Sequence, residues 1–141
     1  MSVPGAGATA LVVAVRAGPQ AGFDRVVLEF SGPAAPGYAV GYVDQPVQDA
    51  SGRAATVAGT ATLEVRTSPA SGVDISPAGV RTTYAGPERI RPAGTAVVQE
   101  LARAGDFEGT LTWVVGTSLP VPFKVSTLSS PPRVVVDLRT P

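Results

Sequence analysis

An all-β fold is what this sequence predicts: a sandwich of two small sheets with an internal pseudo-two-fold repeat, about 8–10 strands and little or no helix. Three observations carry that prediction. First, the chain repeats itself. Arg16-Ala17-Gly18 is followed by Gly22, a valine-rich run, Tyr38-x-Val40 and Pro46, and Arg103-Ala104-Gly105 by Gly109, a similar run, Phe123-x-Val125 and Pro131, so both copies read Arg-Ala-Gly-x-x-x-Gly and place a proline eight residues past the aromatic. One such unit of strand, turn, strand, loop and strand cannot bury its own apolar face, whereas two can close on each other. Second, 16 glycines and 14 prolines in 141 residues punctuate the chain as short strands require and far too often for a helical bundle. Third, several segments alternate apolar and polar residues with the period of two of a half-buried strand.

In chain order, Met1-Ser-Val-Pro-Gly-Ala-Gly reads as a disordered lead or a start placed on a trimmed domain, so residues 1–8 are set apart from a single domain over 9–141 with half-repeats of 10–47 and 96–138. Residues 11–16 alternate well enough to place Leu11, Val13 and Val15 on one face, and Gly18-Pro19 ends the strand. Residues 23–30 put Val26, Leu28 and Phe30 on one side and Arg25, Val27 and Glu29 on the other. A strand over 38–43 follows. The stretch 49–61 is small and polar, with Ser51-Gly52 as a hairpin turn, and leads into 62–66, where Leu63 and Val65 belong to the core.

Residues 68–94 are crowded with prolines and glycines around one short strand at 80–84, and connections this long in a compact domain are usually functional or mobile. Residues 95–104 are ambiguous, because Thr95 could cap a helix that Gly105 stops. The repeat decides for a strand, since this segment corresponds to the one ending at Arg16. Strands over 110–115, 123–128 and 133–138 complete the fold, the last with Val134, Val136 and Leu138 inward.

Missing residue types exclude chemistry. Without cysteine or histidine there are no thiol nucleophiles, disulfides, Ser-His triads or the usual transition-metal sites, and no cofactor or metal is implied. Eleven acidic and eleven basic residues cancel without a like-charge block, which argues against nucleic acid as a partner. The longest early apolar run, 11–15, is far too short to span a bilayer, and no basic segment precedes it as a signal peptide requires.

The closing stretch, Phe123-Lys-Val-Ser-Thr-Leu-Ser-Ser-Pro-Pro-Arg-Val-Val-Val-Asp-Leu138, resembles the final motif of AMIN domains: an aromatic-x-Val strand, a Leu-x-x-Pro corner, then Arg-Val-Val-Val-Asp-Leu. Gly22-Phe-Asp-Arg-Val-Val-Leu-Glu-Phe30, Pro36-Gly-Tyr-Ala-Val-Gly-Tyr-Val43 and Gly105-Asp-Phe-Glu-Gly109 are similar more particularly to the AMIN-like domain of actinobacterial exported proteins and lipoproteins. The resemblance implies a non-catalytic β-sandwich outside the cytoplasmic membrane, secreted or in the envelope, with membrane contact only through a lipid anchor upstream of the chain. In the wider family the domain targets cell-wall amidases and secretins, by binding peptidoglycan or another cell-wall glycan. A protein-interaction or assembly module of the envelope, without glycan binding, is the alternative.

Arg133 and Asp137 are the first candidate ligand-binding residues, being on one face of one strand at the two charged positions of the family motif. An arginine suits peptidoglycan carboxylates and an aspartate sugar hydroxyls. The plainer reading pairs them with Arg25 or Glu29 on a neighbouring strand, and Arg25 carries the same two readings. Tyr84, near Arg81, Arg89 and Arg91, makes a second candidate site, an aromatic among guanidiniums, against solvated loop charges as the alternative. Trp113 is in register with Leu111 and Val115 and is expected in the core. Asp106 and Glu108 would lie about 6 to 7 Å apart on a strand, within glycosidase range, but they flank Phe107 in a tight turn closed by Gly109, where turn chemistry accounts for them. No catalytic site assembles, and the chain is read as not an enzyme.

Overall fold

The computed structural model describes residues 1–5, 8–44, 47–48 and 54–141, the backbone alone at 47–48 and 54–55; the expected turn at Ser51-Gly52 and the first repeat's Pro46 lie outside these residues. Two hairpins of like design begin the two halves. β2 (Ala10–Gln20) turns through Ala21-Gly22 into β3 (Phe23–Ser31), and β12 (Val98–Phe107) turns through Glu108-Gly109 into β13 (Thr110–Thr117). Both are two-residue turns. Gly22 sits at φ 85°, while Glu108 and Gly109 sit at 52° and 79°, the pair of left-handed residues that a tight hairpin turn of the primed type demands.

After each hairpin the chain crosses to the opposite layer. β4 (Gly37–Val43) and β7 (Ala61–Ser68) leave the first hairpin's sheet and pair beside β13, whereas β14 (Phe123–Leu128) and β15 (Arg133–Arg139) leave the second hairpin's sheet and pair beside β3. With the short pieces β1, β8 and β11 added, the first sheet runs β1-β4-β7-β13-β12-β11 and the second β14-β15-β3-β2-β8. Exchanging the halves turns β4-β7-β13-β12 into β14-β15-β3-β2, which is the two-fold relation that the duplicated motif implies.

Those short pieces decorate the frame of eight long strands. β1 (Ser2–Val3) pairs with β4, so part of the lead expected to lie outside the domain forms a sheet edge, and the Met1 ammonium donates to the Val40 carbonyl oxygen at 2.9 Å. β5 (Val47–Gln48) and β6 (Ala54–Ala55) pair with each other. The connection 68–94 is more regular than expected: β8 (Ala70–Ser71) runs parallel to β2, β9 (Val73–Ser76) and β10 (Gly79–Thr82) form a separate hairpin, and β11 (Arg89–Ile90) pairs with β12. No helix occurs among the described residues.

The core lies between the sheets. Val26, Leu28, Phe30, Leu63, Val65, Leu111, Trp113, Val115, Val134, Val136 and Leu138 are all 0% exposed. Each such aliphatic or aromatic side chain stabilises the fold by roughly 1.5–3 kcal/mol relative to exposure. β2 departs from simple alternation. A bulge between Val12 and Ala14 switches its faces, so Val12 is buried and Val15 packs on the core while Val13 is 38% exposed, contrary to the expected Leu11, Val13, Val15 face.

One polar tie crosses the layers. The Asp24 carboxylate, 1% exposed, accepts hydrogen bonds from the backbone N–H groups of Ala96, Val97 and Val98 at 3.1, 2.7 and 3.0 Å. These bonds fix the entry of β12 against the start of β3. Sequence reasoning misses this residue, since an aspartate next to an arginine carries no local sign of burial.

Candidate functional site

The two outer faces differ. On the first sheet, Ala102, Ala104 and Val114 point outward yet stay buried, because Val57 from the segment after β6 packs on them. Glu100, 4% exposed, holds that segment down: its Oε1 accepts from the Ala58 N–H at 3.0 Å and lies 3.3 Å from Arg89 Nη1, and its Oε2 lies 3.2 Å from Arg91 Nε. Arg89 also donates to the Thr56 carbonyl oxygen at 2.7 Å. Gly116 is required beneath the cover, because a Cβ there would meet the Ala58 carbonyl oxygen at 1.8 Å.

Among the described residues no comparable segment covers the second sheet's outer face, which carries an open groove. Val27 and Val135 stand opposite each other in register and form the floor of this groove of about 310 Å³, lined also by Arg16, Gly18, Arg25, Leu128 and Arg133. Its charge pattern follows from the strand sequences. Outward-facing Arg25, Val27 and Glu29 of β3 stand across from Asp137, Val135 and Arg133 of antiparallel β15, so register sets each arginine opposite a carboxylate. Arg25 uses its partner fully. Its Nε and Nη2 donate to Asp137 Oδ1 and Oδ2 at 2.8 and 3.1 Å, a two-pronged pair, and that hydrogen bonding pushes the Arg25 pKa further up. The guanidinium also lies over the Phe23 ring, 5.3 Å from its centre.

Arg133 does not take the partner that register offers it. Glu29 pairs instead with Arg16 at 3.1 Å, and Arg133 donates to the carbonyl oxygens of Pro131 and Ser129 at 3.1 and 3.3 Å. Among the described residues Arg133 has no carboxylate partner. Cross-strand pairing thus accounts for Arg25 and Asp137 and leaves Arg133 facing the groove. In the sequence, Arg16 and Gly18 are legible only as markers of the repeat, not as parts of a site.

The second expected site does not form. Tyr84 is 7% exposed, edge-on to Trp113 with ring centres 5.6 Å apart, and its hydroxyl donates to the Pro87 carbonyl oxygen at 2.6 Å; burial pushes its pKa up. A ring placed there has no face to offer a ligand. Arg81 pairs with Asp74 at 3.2 Å on the β9–β10 hairpin, and Arg89 and Arg91 serve Glu100. The crowding of arginines along the chain reflects separate structural roles. Asp106 Oδ2 accepts from the Gly72 N–H at 2.7 Å and Glu108 occupies the turn, so the two carboxylates do not form an acid–base pair.

Fold and surface together define a class, a two-sheet β-sandwich with one dressed outer face and one open, charged groove. The family model of the AMIN-like domain matches residues 10–140, and the chain belongs to that family. No curated protein and no solved structure matches it. The family is associated with extracytoplasmic proteins of the cell envelope, and its domains are generally non-catalytic binding modules.

Proposed function

We propose that this domain holds its parent protein to peptidoglycan, or to another cell-wall glycan, through the groove on the second sheet's outer face, and that it does so without catalysis. One observation carries the reading: Arg133 stands at the rim of an apolar-floored groove without a carboxylate of its own among the described residues. Cell-wall polymers supply carboxylates, and a guanidinium binds them through two parallel hydrogen bonds. Arg25 and Asp137 then act as a fixed wall of the groove, and Tyr84 and Arg89 take no part. The domain works outside the cytoplasmic membrane, with a lipid anchor upstream as the only membrane contact.

Pelleting with purified sacculi tests this. The protein should be retained at low salt and released as salt rises, because the attraction is between partly exposed charges. Arg133→Ala should lose retention while its melting temperature stays close to the parent's, since it donates only to two carbonyl groups at an exposed corner. Absence of retention at low salt rejects the reading, and a large fall in melting temperature makes Arg133 a structural residue.

Docking to an envelope protein is the second reading, favoured by one feature. Ile75 and Val80 stand opposite each other on the β9–β10 hairpin, 78% and 72% exposed, with Phe107 60% exposed. Cross-linking from position 75 in the source organism separates the two: a single protein adduct supports docking, and its absence together with sacculus retention supports wall binding.

A further inference from the structure

We infer that the groove recognises the peptide part of the cell-wall polymer, through a free carboxylate flanked by a small apolar side chain, and not its sugar rings. This inference rests on the wall-binding reading above and names the chemistry of that same site.

Three observations lead to it. The charge of the groove is the first. Arg16, Arg25 and Arg133 face only Glu29 and Asp137, and Lys124 stands beside Asp137 in register, so positive charge is in surplus around the floor. An anionic group is therefore favoured over a neutral ring. A guanidinium has five N–H donors, and Arg133 spends two of its donors on backbone oxygens, which leaves donors for a carboxylate.

The floor is the second. Val27 and Val135, 8% and 1% exposed, are roofed by the side chains around them, so the apolar surface open to a ligand is Leu128, 43% exposed and opposite Arg133 in register, while at Gly18, which also lines the groove, a Cβ would meet nothing within 4 Å. The exposed Leu128 side chain, one strand spacing from Arg133, suits contact with the methyl of an alanyl residue whose carboxylate reaches the guanidinium. The third is the lack of a stacking surface. Sugar rings are commonly held against an exposed aromatic face. Among the residues lining this groove none is aromatic, Phe23 nearby lies against the Arg25 guanidinium, and Trp113 and Tyr84 are in the core.

Three probes separate the possibilities: intact sacculi, glycan chains freed of their stem peptides by amidase digestion, and a soluble alanine-terminated stem tetrapeptide. Pelleting reads the first two, the freed glycan being coupled to beads because it is soluble without its peptide cross-links, and backbone amide shifts in NMR read the third. The tetrapeptide should shift amides around residues 16–18, 25–27 and 133–135, and the stripped glycan should stay unbound. Arg133→Ala should weaken the peptide at least tenfold, and so should Gly18→Leu, which fills the groove where the fold has open space and therefore leaves the melting temperature unchanged. Retention on stripped glycan equal to that on sacculi, with no peptide shifts, overturns the peptide assignment and leaves wall binding standing. Retention on neither polymer, with no peptide shifts, overturns both.

Discussion

Val27 and Val114 occupy equivalent places, each five residues past the turn glycine of its hairpin, and each points away from the core. Val114 is 0% exposed beneath Val57, while Val27 reaches 8% with only its own sheet's side chains around it and the groove above. Two residues further on the contrast sharpens. The second sheet carries Glu29, bound to Arg16, and the first carries Gly116, kept bare so that the Ala58 carbonyl can approach. The two halves present similar outer surfaces. The segment after β6 covers one of them, and on the other an open groove brings its charged side chains to solvent.

The largest effect should come from breaking the cover. Gly116→Ala puts a methyl 1.8 Å from the Ala58 carbonyl oxygen. The covering segment must shift, and overpacking of this kind costs about 3 kcal/mol. Gly18→Ala on the open face should change stability by less than about 0.5 kcal/mol. Denaturant melts of both variants check the pair, and equal costs would mean that the two faces are equally exposed in solution.

Next come the two carboxylates that anchor arginines. Glu100→Ala removes a buried acceptor shared by Ala58, Arg89 and Arg91, and should cost about 2–3 kcal/mol. Asp137→Ala removes a partner of the half-exposed Arg25 and should cost about 1 kcal/mol or less, as solvent screens that pair. If Asp137→Ala proves the costlier in the same melts, the open face carries more of the fold's stability than the covered one and the assignment of roles is reversed.

The smallest effect concerns pH, and it belongs to neither face. Burial raises the pKa values of Tyr84 and Tyr42 above the ordinary 10.0, so the unfolded chain ionises first as pH rises. Their contribution to stability is complete below pH 10.0 and is lost as pH climbs through the folded values. Melting temperature should therefore decline above pH 10.0, and Tyr84→Phe should make that decline shallower. A slope unchanged in Tyr84→Phe would show that Tyr84 is not buried.

Much of the frame is legible in the sequence because long strands alternate cleanly: Val26, Leu28 and Phe30, then Val134, Val136 and Leu138, each mark a buried face by period alone. The duplication resolves the ambiguous segment that forms β12. Alternation fails where every position is apolar, as in Leu11-Val-Val-Ala-Val15, since no pattern there shows which residue is the bulge. Tyr84 misleads for a different reason. Its burial depends on Trp113, distant in sequence, whereas the three arginines that suggest a site pair with Asp74 and Glu100. The pairing of Arg25 with Asp137 is within reach of strand register; the choice of Glu29 by Arg16, which leaves Arg133 to the groove, is not, because it needs three strands placed at once.

The crossing of each half into the other layer has a mechanical result. Each sheet is joined at its centre by a pair of strands from different halves, β7 with β13 and β3 with β15, so the halves are interlocked like clasped hands. Cutting the backbone at the exposed loop near Gly86 should leave the pieces joined, and neither piece expressed by itself should hold a stable shape, because each would carry two half-layers with nothing to cover them.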